Sequence, residues 1–126
     1  MDFNRIKEMG LEYAEKGKNA ALDLADELGT VPATLPALMR AQKLQKRADR
    51  CGAAQPDKTR AQQALQDALD GWSREQDART AGELLFAAAN AMRLAGVDAE
   101  EALTFASKRF CAGLLEQEPQ SGTQVE

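Results

Sequence analysis

The sequence predicts an all-α protein, and three observations predict it. Ile6, Val31, Val97 and Val125 are the only isoleucine and valine residues in the chain of 126, so β-branched strand formers are nearly absent. Alanine makes up about a fifth of the residues and leucine comes next; both favour helix. Apolar residues return three and four positions apart through most of the chain, the spacing of one helical face.

The first helix is expected over residues 3–28. Phe3, Ile6, Met9 and Tyr13 recur at helical spacing, followed by Ala21, Leu24, Ala25 and Leu28. Gly10 and Gly17 weaken its middle and Gly29 is a stop signal. Thr30 to Thr34 reads as a linker. The second helix begins near Leu35 and Pro36, because the missing proline N–H has no intrahelical partner in a first turn, and runs to Arg50. Leu38, Ala41, Leu44 or Gln45, Ala48 and Cys51 form its apolar face. Arg40, Lys43, Arg47 and Arg50 form a basic stripe on another face.

Residues 52–57 break the pattern. The third helix spans Lys58 to Trp72, with Ala61, Ala64 or Leu65, Ala68 and Leu69 inward, and Asp70-Gly71-Trp72-Ser73 reads as the next turn. The fourth helix spans Arg74 to Ala95 and stops at Gly96. Asp98 followed by Glu101 resembles a capping box for a fifth helix. That helix is expected to bury Ala102, Leu103, Ala106, Phe110 and Leu114. From Glu116 the sequence reads as a frayed tail. The organisation is therefore an N-terminal helical segment over 1–29, a helical domain over 30–115 and a flexible tail over 116–126. Short connections favour antiparallel neighbours in a bundle of four to five helices, and Ala87, Ala88 and Ala89 would let another helix approach closely.

Composition narrows the chemistry. The net charge is −4, from 16 basic and 20 acidic side chains, which is poor for general DNA binding, where clustered positive charge must meet phosphates. The charge is uneven. Residues 31–51 hold five basic side chains against Asp49 alone, and residues 98–126 hold six acids against two bases. No apolar run is long enough to span a bilayer, so no membrane partner is expected. The N-terminus lacks the pattern of an export signal, and a cytoplasmic location is expected. Histidine is absent, which removes His-based triads, imidazole bases and His metal ligands. Cys51 and Cys111 are isolated and read as plain core residues. No Gly-rich phosphate loop is present.

Two stretches carry a specific resemblance. One is Leu35-Pro36-Ala37-Leu38-Met39-Arg40-Ala41-Gln42-Lys43-Leu44-Gln45-Lys46-Arg47-Ala48, followed by Cys51-Gly52. The other runs from Gly82-Glu83-Leu84-Leu85-Phe86 through Asn90-Ala91-Met92-Arg93 and Gly96-Val97-Asp98 to Ala106-Ser107-Lys108-Arg109-Phe110. In wording and order, over residues 31–112, the chain resembles the C-terminal domain of MazG, a nucleoside triphosphate pyrophosphohydrolase. The resemblance implies an all-α, MazG-like helical bundle, completed or extended by pairing into a homodimer. It also implies Mg²⁺-dependent cleavage of an NTP to NMP and pyrophosphate. In that family a Glu-x-x-Glu pair on one helix and a Glu-x-x-Asp pair on the next cage the metal, each pair sharing a helical face, and the metal polarises phosphate and activates water.

The chain departs from this pattern at the cage. The second pair falls on Thr80 and Glu83. The first falls on Ala61 and Ala64, or on Gln62 and Leu65. Glu83 is the one metal-ligand candidate that survives. The resemblance further implies Lys43, Lys46, Asn90 and Arg109 as nucleotide- or phosphate-binding candidates, with Arg109 at a family lysine position and Ser107 and Gly113 replacing polar family residues. The expectation is a nucleotide-binding or oligomerising module with impaired catalysis. Two alternatives are an active Mg²⁺ enzyme whose ligands are relocated to Glu83 with Asp67, Asp70, Glu75 or Asp77, and a purely structural interaction bundle. No catalytic residue is assigned.

Overall fold

The computed structural model describes residues 24–54 and 56–124, with side chains through residue 117. Residues 24–29 are helical and lead into a turn. Four helices follow: α1 (Ala37–Arg50), α2 (Lys58–Arg74), α3 (Ala78–Leu94) and α4 (Ala99–Gln124). The described residues contain no strand, as the scarcity of β-branched residues predicts. The greater part of the helix expected over 3–28 lies outside the described residues.

Each boundary has a local cause. Pro36 stands as the N-cap of α1 rather than inside its first turn, since proline's fixed φ and missing donor suit the first position outside as well as the first inside. At the C-terminus Gly52 takes φ +77°. Ala53 N–H then bonds Ala48 O at 3.0 Å and Gly52 N–H bonds Asp49 O at 3.1 Å, a Schellman stop. The same device ends α3: Gly96 takes φ +83°, Val97 N–H bonds Met92 O at 2.8 Å and Gly96 N–H bonds Arg93 O at 2.9 Å. Asp57 opens α2, its carboxylate accepting from the Thr59 and Arg60 amides. Asp98 opens α4 by accepting from Glu101 N–H at 3.0 Å.

Two boundaries differ from the sequence reading. The turn expected over Asp70–Ser73 is helix, and α2 continues to Arg74. One glycine costs a helix about 1 kcal/mol, and half-buried Trp72 in the same turn offsets that through its packing. The next helix starts at Ala78 rather than Arg74, because Asp77 and Thr80 form a reciprocal capping box that fixes the first turn. The backbone of α4 is helical to Gln124, so at 26 residues it is about 39 Å long.

The α2–α3 hairpin is packed along its length, and α1 lies across α3 and the start of α4. The buried apolar residues are Val31, Ala61, Ala89, Ala91 and Ala99, so the helices meet at alanines and their backbones come close. No large side chain among the described residues is fully buried. The expectation that α4 buries Leu103, Phe110 and Leu114 is overturned: they are 55%, 68% and 51% exposed. Among the described residues, helix α4 meets α1 and α3, and its apolar side chains further along are exposed. Cys111 is likewise exposed rather than in the core, and Cys51 is partly buried. No described helix is long and apolar enough to cross a membrane.

Gly96 tests the stop of α3. A Cβ there would meet nothing within 4 Å, so substitution acts through the backbone alone. Gly96→Ala is expected to lower unfolding free energy by about 1–2 kcal/mol, read as a shift of the urea midpoint at constant slope.

Candidate functional site

Two of the residues that the sequence singles out, Glu83 and Asn90, line one cavity of about 910 Å³, a volume suited to a small-molecule ligand. Helix α1 contributes Leu44, Gln45, Ala48 and Asp49. Helix α2 contributes Ala64, and α3 contributes Ala78, Arg79, Gly82, Glu83, Phe86, Ala87 and Asn90; Leu28 and Ala54 complete the lining. Glu83, Phe86, Ala87 and Asn90 are gathered by the three- and four-residue spacing of one helical face.

The walls are mainly apolar and the charges are already paired. Glu83 receives two hydrogen bonds from the Arg79 guanidinium one turn earlier, at 3.2 and 3.0 Å. Arg79 also lies 3.7 Å from Glu75. Across the cavity, Arg93 bonds Asp49 at 2.5 Å, with side chains only 16% and 13% exposed, and donates to Asn90 Oδ1 through Nε and Nη2. This triad ties α1 to α3. It fixes the Asn90 amide, whose nitrogen donates to no group among the described residues.

Gln45 is the residue that sequence reasoning undervalued. It is 7% exposed and lines the cavity. Its Nε2 donates to Phe86 O at 3.0 Å, but Oε1 is buried without a partner among the described residues. An unpaired buried acceptor costs about 1–3 kcal/mol. The sequence did hold a signal, since Gln45 interrupts the apolar face of α1, one turn beyond Gln42. Gln42 reaches Ala89 O and Val97 O through Nε2 and accepts from Ala99 N–H through Oε1.

Of the positions considered for the expected metal cage, Ala64 and Glu83 line this cavity. Ala61 is buried, Ala64 is part of the wall, and Gln62 is exposed and Leu65 half-buried. Thr80 is 3% exposed, with its hydroxyl donating to Glu75 O and its amide bonded to Asp77 Oδ1 at 2.9 Å. Of the acids considered as relocated ligands, Asp77 is committed to that cap, and Asp67 accepts from Gln63 at 3.0 Å. Among the described residues no three acids or cysteines come close enough to hold a metal ion. A hard cation needs several oxygen donors. The wall holds two carboxylates, Glu83 and Asp49, each already engaged by an arginine, and this donor set does not fit Mg²⁺.

Asn90 is the one nucleotide candidate at the cavity. Lys43, Lys46 and Arg109 are exposed and are not part of its wall. The basic stripe of α1 is used mainly within the chain. Arg47 and Arg50 bond Glu27 at 3.2 and 3.4 Å, Arg47 also reaches Thr30, and Arg40 donates to Pro32 O at 3.2 Å.

Asp77 supplies a pH test of the first turn of α3. The Thr80 amide and hydroxyl, with Arg79 beside it, hold its carboxyl below the ordinary value of 3.8. A group whose folded pKa is depressed stabilises the fold above its unfolded pKa and loses that contribution as pH falls through the folded value. Melting temperature is therefore expected to drop below pH 3.8 partly through this cap, and Asp77→Asn should flatten that acid limb. An identical limb in the variant would refute the assignment.

No protein-family model matches the chain. It is similar to the nucleoside triphosphate pyrophosphohydrolase of Escherichia coli strain K12, with 36% identity over 111 residues, covering 79% of this chain and 39% of that protein. The protein of the same description from Escherichia coli O157:H7 matches to the same extent. The chain thus spans about two fifths of the length of the curated relatives it matches.

Proposed function

We propose that the chain is a MazG-type member of the nucleoside triphosphate pyrophosphohydrolases that has lost its metal cage and serves as a nucleotide-binding, dimerising module. The likeness to the Escherichia coli enzymes supports the family. One observation carries the loss of catalysis: of the four cage positions only Glu83 is acidic, and its carboxylate is held by Arg79. The cage chemistry depends on converging negative charge. A carboxylate at about 4 Å attracts a cation by roughly 4 kcal/mol per unit charge at an effective dielectric of about 20, and three such contributions are missing. A metal, where the family uses one, supplies phosphate polarisation and an activated water; this wall retains no set of ligands for that role.

Purified protein is accordingly expected to release no pyrophosphate from any common NTP or dNTP with Mg²⁺ or Mn²⁺. Turnover at rates ordinary for enzymes, abolished by Glu83→Ala, would reverse this reading in favour of relocated ligands. A rise in melting temperature with nucleotides would support retained binding, because a ligand that prefers the folded state stabilises it. No rise with any nucleotide would leave the interaction-bundle reading.

The dimer rests on uncovered apolar surface. Phe105, Phe110, Leu114 and Leu115 on α4 are 50–68% exposed. A second groove of about 280 Å³ is lined by Leu38 of α1, Leu85 and Met92 of α3 and Leu103 of α4, with alanines between them. Of the exposed apolar residues of α4, Leu103, Phe110 and Leu114 share one helical face, and exposed apolar surface of this kind marks an interaction site. The wild-type chain is expected to sediment as a dimer. Phe110→Glu should shift it toward monomer and lower its melting temperature; a wild-type monomer at all concentrations would exclude the dimer.

A further inference from the structure

We propose that the cavity between α1 and α3 binds, without a metal, the uncharged base of a nucleoside carrying an exocyclic amine, of the adenosine or cytidine kind. This rests on the nucleotide-binding reading and specifies its ligand. Three observations converge. The charged residues in the wall are Asp49, Arg79 and Glu83, and each already has a partner of opposite charge. No unpaired cation of the wall is left to receive a triphosphate, and the wall as a whole is acidic by one charge. The rest is largely aliphatic, with the half-exposed ring of Phe86 among it. Such a ring is a face on which a planar base stacks.

Gln45 supplies the specificity. Its Nε2 is held by Phe86 O, which fixes the amide and leaves Oε1 as an acceptor with no donor. The oxygen is recessed, so an amine projecting beyond the ring reaches it more readily than a ring N–H flanked by carbonyl oxygens. Asn90 is the complementary group. Arg93 holds its Oδ1, which leaves the amide N–H groups for an acceptor on the ligand. Phe86 and Asn90 are one turn apart on α3, and both line the cavity with Gln45 of α1. A buried site that must pair an acceptor discriminates strongly against a ligand lacking the donor.

The test is calorimetric titration of the full chain with adenosine, cytidine, N6,N6-dimethyladenosine and ATP, each with and without Mg²⁺. Adenosine or cytidine is expected to bind with no dependence on Mg²⁺, and dimethylation, which removes both amine hydrogens, to weaken binding about tenfold or more. Gln45→Leu should remove the discrimination. The methylated ligand keeps the test valid even if that variant folds poorly. Equal binding of adenosine and its dimethyl analogue, or binding of ATP only with Mg²⁺, overturns the inference while leaving the nucleotide-binding reading intact. Absence of binding by every nucleoside and nucleotide overturns both.

Discussion

The architecture depends on two glutamine amides of α1 reaching main-chain carbonyls of α3. Gln42 bonds Ala89 O at 2.8 Å and Gln45 bonds Phe86 O at 3.0 Å. An amide can reach a helix carbonyl across an interface only if the backbones approach closely, and buried alanines at positions 61, 89, 91 and 99 permit that approach. Gln42 bonds beyond α3 as well, to Val97 O and to the Ala99 amide, so one side chain joins α1, the α3–α4 turn and the first residue of α4. Glu100 in turn accepts from Met39 N–H at 3.3 Å. The helices are held in register by directional bonds more than by interlocking large side chains.

That arrangement has an energetic consequence. Burying an alanine contributes far less than burying a leucine or phenylalanine, at about 25 cal/mol per Å² of apolar area. The larger apolar residues, including Leu85, Phe86, Phe105, Phe110 and Leu115, stay half or more exposed. A small domain with an alanine core gains from covering such surface by association. The proposed dimer follows from the same packing choice that lets the glutamines bond.

The cavity shows the same economy of charge. Where converging carboxylates would repel one another until a cation arrived, this wall pairs Glu83 with Arg79 and Asp49 with Arg93. The Asp49–Arg93 pair, further bonded to Asn90, is shielded enough to matter to stability, whereas the exposed Arg79–Glu83 pair contributes little. What remains open to a ligand is apolar area, an aromatic ring and two amide groups. The proposed recognition by shape and hydrogen bonds matches such a wall better than chemistry that needs converging metal ligands.

The helical class, the breaks at Gly52 and Gly96, and the cap at Asp98 were legible in the sequence because each is decided within a few neighbouring residues. The uncharged residues at Thr80 and at Ala61 and Ala64, or Gln62 and Leu65, were equally legible, since the type of a side chain needs no coordinates. The tertiary structure decided the rest. Asp70–Ser73 gave no local sign that Trp72 would keep the helix intact. Gln45 was read beside Leu44 because spacing alone does not say which of two adjacent residues faces inward. The basic stripe looked available to an anion, and only the path of residues 24–31 brought Glu27 to Arg47 and Arg50. Periodicity along α4 announced an apolar face truthfully but not its partner. Local structure follows from torsional preference and capping within a turn or two, whereas burial and charge pairing depend on which distant segments meet.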